Sequence, residues 1–163
     1  MAHLLWRLQN GEMPDSLQPR VWWILIGTND LGMGCSADTI VAGNIRIVEE
    51  IRQKHDYHNF GILHNTMVPI VMNSILPKSQ FELLHSQPSP WPLLQQVHQQ
   101  LECFAQNNPG VYFMNATDSL IHTNEEGVFL NEDLFDADHF HPNAKGTRVW
   151  LEWLVEQVVD LMT

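Results

Sequence analysis

The sequence predicts an α/β fold built on a parallel sheet. Two observations carry that expectation. Short continuous apolar runs alternate with longer stretches of helical periodicity, in the order strand-helix-strand-helix-strand-helix. The runs also lack the in-out alternation of a strand with one wet face, as expected where helices cover both sides of a sheet. A length of 163 residues suits a single domain over residues 1–163. Hydrophobic residues make up 44% and charged residues 17%, a composition that builds a core and does not resemble a disordered segment.

Residues 2–9 read as the end of a helix, with Leu4, Leu5 and Leu8 at helical spacing and Asn10-Gly11 as the stop. Pro14 to Pro19 is a loop. Val21 to Ile26, closed by Gly27, is the first strand; its shortness and its β-branched and aromatic content speak against a buried helix. Ser36 caps a helix running to about Lys54, with Ile40, Val41, Ile45, Val48 and Ile51 on one face. Phe60 to Val71 is the second buried strand, and Pro77, Pro88, Pro90 and Pro92 punctuate the connection after it. A helix follows from about Trp91 to Gln106, then a third strand at Val111 to Met114. Residues 115–142 read mostly as loop. The last helix begins near Asn143 and runs to about Met162, burying Val149, Trp150, Trp153, Leu154, Val158 and Leu161.

A net charge of -11 argues against nucleic acid or an anionic membrane surface as a main partner. No apolar run is long enough to span a bilayer. Cys35 and Cys103 are too few for a disulfide framework. Cys103 falls mid-helix and is expected to be buried filler; nothing around Cys35 suggests an activated thiolate.

In such a sheet ligands bind beyond the carboxyl ends of the strands, and two candidates sit there. Gly27-Thr28-Asn29-Asp30 follows the first strand. The Asn29 amide could donate to a developing oxyanion, although Gly, Asn and Asp also populate turns for purely local reasons. Asp138-His139-Phe140-His141-Pro142-Asn143 precedes the last helix. An Asp three residues before a His can hold the ring Nδ1–H and leave Nε2 as a base, while Pro142 and Asn143 set the helix start and keep the His outside it. Metal binding by His139 and His141 would lack ligands. His55, His58, His64, His85, His98 and His122 show no ligand spacing.

Together these blocks resemble the SGNH hydrolases, a branch of the GDSL esterases and lipases: GTND after a buried strand and DxxHPN before the C-terminal helix correspond to that family's third and fifth conserved blocks. Leu5-Trp6-Arg7-Leu8-Gln9-Asn10-Gly11-Glu12 looks like the LWRLxNGE stretch of the platelet-activating-factor acetylhydrolase Ib catalytic subunits and their relatives. The resemblance runs from about residue 4 to the end. It implies a flavodoxin-like three-layer sandwich and hydrolysis of an acyl or acetyl ester through an acyl-enzyme. It implies Asn29 as an oxyanion donor, His141 as general base and then general acid, and Asp138 as its orienting partner. No metal or organic cofactor is implied, and His139 has no family role.

The family's nucleophilic serine lies in a GDS-type motif before the LWRL stretch, as does a second oxyanion glycine. The chain is therefore expected to lack both, together with the first strand or strands of the sheet, as if an internal Met stood as its start, and to be inactive as given. Thr117-Asp118-Ser119-Leu120 resembles a GDSL motif without its glycine, at a place where the family has no nucleophile; Ser119 reads as a loop residue and Ser36 as a helix cap. The strand at Val21 to Ile26 should then present a bare edge, making the chain poorly soluble or oligomeric. A different class of reading is a natural short form that binds a partner or an acylated ligand without catalysis. A generic flavodoxin-like binding domain lacks support, since no Gly-rich phosphate loop follows the first strand. Phospholipid, sugar-acetate and simple acyl esters all remain open as substrates. No secretory signal opens the chain; with an upstream segment expected, the compartment stays open, the cytoplasm being the default.

Overall fold

A computed structural model describes residues 1–14, 16–59, 67–77, 91–125 and 127–162. At its centre are three parallel strands, β1 (Trp22–Ile24), β2 (Ile70–Asn73) and β3 (Val111–Met114), in the spatial order β1-β2-β3. The register aligns Trp22 with Ile70 and Val111, then Trp23 with Val71 and Tyr112, then Ile24 with Met72 and Phe113. All three carboxyl ends therefore meet at one edge of the sheet.

Strand alternation divides the layers. Trp22, Ile24, Ile70, Met72, Val111 and Phe113 face one side and join the main core. That core is completed by the helices α3 (Ala37–Asn59) and α4 (Trp91–Gln106), through residues such as Ile40, Ile47, Val48, Leu94, Val97 and Leu101. Val71 and Asn73 face the other side. There Trp150 of the last helix, α5 (Ala144–Met162), points its indole N–H at Asn73 Oδ1 at 3.5 Å. Because both faces of β2 are covered, all four of its residues are buried, and a continuous apolar run is the sequence such a strand requires.

The first helix, α1 (Ala2–Arg7), docks on α3. It ends in a wide turn, Leu8–Glu12, where Gly11 takes a φ of 108° and Asn10 Nδ2 bonds the Trp6 carbonyl at 2.7 Å. Leu8 enters the core, Gln9 Nε2 donates to Glu50 at 2.9 Å, and Arg7 pairs with Glu12. The LWRLQNGE stretch is thus a docking element rather than a catalytic one.

Several expectations need correction. The second strand is Ile70–Asn73, not Phe60 to Val71; Met67 to Pro69 are not strand, and 60–66 lie outside the described residues, as do Pro88 and Pro90. The first strand is the shorter Trp22–Ile24. The helix capped by Ser36 continues to Asn59. Residues 115–142 are more ordered than a loop: a 3-10 turn (Ala116–Ser119) leads into a hairpin of β4 (Ile121–Asn124) and β5 (Gly127–Leu130), then a second 3-10 turn (Glu132–Leu134). The hairpin, the second turn and α5 share a small core of Leu120, Leu130, Leu134 and Phe135, with Leu76 and Val149 against it. Cys103 is exposed, not buried. The buried stripe of α4 is Leu94, Val97 and Leu101, and Cys103 lies two positions beyond Leu101, about 200° around the helix. Among the described residues, no helix is long and apolar enough to cross a membrane.

Candidate active site

The three parallel strands leave the sheet at one edge. After β1 the chain turns at Gly27, whose φ is 115°. A Cβ there would stand 2.8 Å from Ile75 Cδ1 and 3.3 Å from Ile40 Cγ2, so glycine serves both conformation and close approach. The short helix α2 (Thr28–Gly32) follows directly, where a loop was expected, and carries Asn29 on its exposed side. The Asn29 carboxamide makes no hydrogen bond among the described residues and is available to a ligand.

The exits of β2 and β3 are tied by buried hydroxyls. Ser74 Oγ lies 3.0 Å from Thr117 Oγ1 and accepts the Thr117 backbone N–H at 3.2 Å; Thr117 Oγ1 donates to the Ile75 carbonyl at 3.2 Å. Buried hydroxyls persist only where such partners exist. The knot fixes the 3-10 turn that contains the TDSL sequence. Within it Ser119 Oγ donates to the Ala116 carbonyl at 2.7 Å, which occupies the hydroxyl locally.

Asp138 and His141 are brought together. His141 Nδ1 lies 2.7 Å from Asp138 Oδ2. The other carboxylate oxygen, Oδ1, accepts the backbone N–H groups of Phe140 at 2.8 Å and His141 at 3.0 Å. The chain can aim both N–H groups at one oxygen because His139 adopts a left-handed φ of 50°, a conformation that His tolerates better than branched residues. That gives His139 a conformational part where sequence reading found none. The side-chain bond to His141, then the two backbone bonds, hold the Asp138 carboxyl down at about 2, so it stays ionised and keeps accepting from the ring. Phe140 packs against the imidazole with ring centroids 4.6 Å apart. Both members of the pair are well solvated, with side-chain exposures of 67% for His141 and 50% for Asp138; burial therefore does not align them, and the loop must.

That loop is closed internally. Asp136 N–H donates to the His141 carbonyl at 2.9 Å, His139 N–H to the Asp136 carbonyl at 2.8 Å, and Phe135 bridges to Pro142. Asn143 caps α5, its Oδ1 accepting from Lys145 N at 2.9 Å and Gly146 N at 3.0 Å. The remaining histidines stand apart. His98, on α4, faces Phe113 of β3, and burial lowers its pKa to about 4; His122 stacks on Phe129. His64 and His85 lie outside the described residues, as do the side chains of His55 and His58.

A model of the GDSL-like Lipase/Acylhydrolase family matches residues 2–149. The chain belongs to that family. Among curated relatives it is similar to the human platelet-activating factor acetylhydrolase IB subunit alpha1, 24% identical over 140 residues, covering 84% of this chain and 51% of the relative. It is also similar to the chicken alpha2 subunit, 27% identical over 149 residues, with coverages of 88% and 54%. The chain thus spans about half the length of the curated relatives it matches. Among solved structures, a GDSL-like lipase from Bacteroides thetaiotaomicron superimposes with a TM-score of 0.65 at 20% identity, over 98% of this chain and 70% of that one. The esterase AlinE4 superimposes at 0.53 with 15% identity, over 98% and 69%. These likenesses confirm the α/β architecture expected from the sequence, and the family places the chain among acylhydrolases.

Proposed function

We propose that the chain carries the Asp–His proton-transfer pair of a serine ester hydrolase and that none of Ser36, Ser74 and Ser119 is the nucleophile. The observation that supports this is the 2.7 Å contact between His141 Nδ1 and Asp138. A carboxylate held ionised fixes the proton on Nδ1 and frees Nε2 to take a proton from a serine hydroxyl, then return it to the leaving alcohol. The free Asn29 carboxamide is the oxyanion donor, a contribution of about 3 kcal/mol to the barrier. The substrate is a small acyl or acetyl ester, and no cofactor takes part. Ser36 caps α3, Ser74 is buried against Thr117, and Ser119 is bound to the Ala116 carbonyl, which leaves these hydroxyls engaged elsewhere.

The test is a fluorophosphonate probe read by intact mass, on the 163-residue chain and on the chain extended at its N-terminus by a family segment that carries a GDS-type motif, each with a His141→Ala control. The expected result is no adduct on the former and a single His141-dependent adduct on the latter. A His141-dependent adduct on the 163-residue chain would overturn the assignment of the nucleophile. No adduct on either would remove the esterase reading and favour a non-catalytic binding module.

We also propose that the 163-residue chain self-associates through the sheet edge. Among the described residues β1 has a strand partner on one side alone, and its Trp22 and Trp23 indole N–H groups are buried without an acceptor. Unpaired strand edges of this kind template pairing with another chain. Sedimentation velocity at micromolar concentration should show species larger than a monomer; a concentration-independent monomer would refute it.

A further inference from the structure

We propose that Asn143 is a positioning residue for the Asp138–His141 pair, its carboxamide fastening both ends of the loop that carries them. This rests on the catalytic reading of the pair. The Asn143 carboxamide spends its whole hydrogen-bonding capacity across the base of that loop. Oδ1 faces forward and accepts the two N–H groups of the first turn of α5. Nδ2 faces back and donates to the carbonyls of Asp133 at 3.0 Å and Phe135 at 2.8 Å. Its backbone N–H fills the gap between them, donating to the Leu134 carbonyl at 2.9 Å. One residue thus ties three consecutive carbonyls before the loop to the helix after it, and residues 136–142 close between those points.

The need for such a clamp follows from the exposure of the pair. An ion pair in water is weak and its side chains are free to separate. A 2.7 Å contact between a half-exposed Asp138 and a more exposed His141 therefore depends on where the backbone sets the two Cα atoms. A helix cap alone would not need Nδ2: Ser and Asp cap as well as Asn. Only Asn among the good caps also has two donors to reach backward.

That difference gives the test. Asn143→Ser and Asn143→Asp both retain the cap and remove the two backward donors. Asp138 is followed by carbon-detected NMR titration in the wild-type chain and both variants, with α5 helicity followed by circular dichroism. The expected result is an Asp138 midpoint near 2 in the wild type and a rise of about one pH unit toward the ordinary carboxylate value in both variants, with helicity kept. In an active form of the enzyme the same variants should lower kcat by about 10- to 100-fold with KM little changed. An Asp138 that still titrates near 2 in both variants would overturn the proposal, as would a wild-type Asp138 at its ordinary value. A midpoint that responds to Asn143 in a protein without esterase activity would leave the clamp standing and remove the catalytic reading.

Discussion

In the ester hydrolase proposed above, Asp138→Asn should lower kcat by about 10³- to 10⁴-fold while KM changes little. The carboxamide is nearly the size of the carboxylate, and its single oxygen can go on accepting from Phe140 N and His141 N, which lie 2.8 and 3.0 Å from Oδ1. The loop therefore keeps its shape and the thermal midpoint should hardly move. What changes is the group facing the ring: an NH₂ would point at His141 Nδ1 in place of Oδ2. Nδ1 must then accept, the ring proton moves to Nε2, and the atom that should take the serine proton already carries one. Nitrogen-detected NMR of the ring should show the tautomer change directly, independently of turnover. A loss smaller than tenfold would mean that His141 does not depend on Asp138 for its orientation. The pH dependence has a definite sign. Asp138 is held at about 2 against an ordinary value of 3.8, so the paired state is fully present above 3.8 and is lost as pH falls through about 2. Any acid limb of the rate profile at higher pH must come from another group.

The sequence was most legible where one local rule decides the outcome. Trp91–Gln106 and Val111–Met114 have the bounds that periodicity and β-branched content assign to them. The DxxH spacing placed Asp138 beside His141, because an Asp can fold back on the next turn wherever the intervening residues permit it. The Asn143 cap was legible for the same local reason; its backward bonds to Asp133 and Phe135 were not, since they depend on a 3-10 turn that only the hairpin positions. Hairpin β4–β5 escaped notice because Ile121 to Asn124 is polar and largely exposed, with too little alternation to signal a strand. Cys103 was misplaced because the general tendency of cysteine to be buried was set above helical period, which puts it opposite the stripe of Leu94, Val97 and Leu101. The knot of Ser74 and Thr117 had a faint signal, hydroxyl residues at strand exits, but only the parallel register of β2 and β3 brings them into contact.

Gly146→Ala should destabilise the protein by about 1–3 kcal/mol, against the expectation from helix propensity. Gly146 lies in the first turn of α5, where replacing Gly by Ala would ordinarily stabilise by about 1 kcal/mol. Here a Cβ would collide with the Leu134 carbonyl oxygen, with Leu134 C at 2.9 Å and Leu134 Cβ at 3.1 Å. The carbonyl cannot step aside freely, because it accepts the Asn143 N–H at 2.9 Å, and Leu134 itself is buried in the small core with Leu120, Leu130 and Phe135. Either the helix start withdraws or the 3-10 turn shifts, and each movement pulls on the base of the Asp138–His141 loop. A lower urea midpoint with an unchanged m-value would show the strain, and a coincident rise in the Asp138 midpoint would show that it reaches the pair. A Gly146→Ala variant as stable as the wild type would mean that α5 can shift off Leu134 without loss. In that case the bonds from Asn143 to Asp133 and Phe135, rather than the contact at Gly146, would be what holds the dyad loop against the helix.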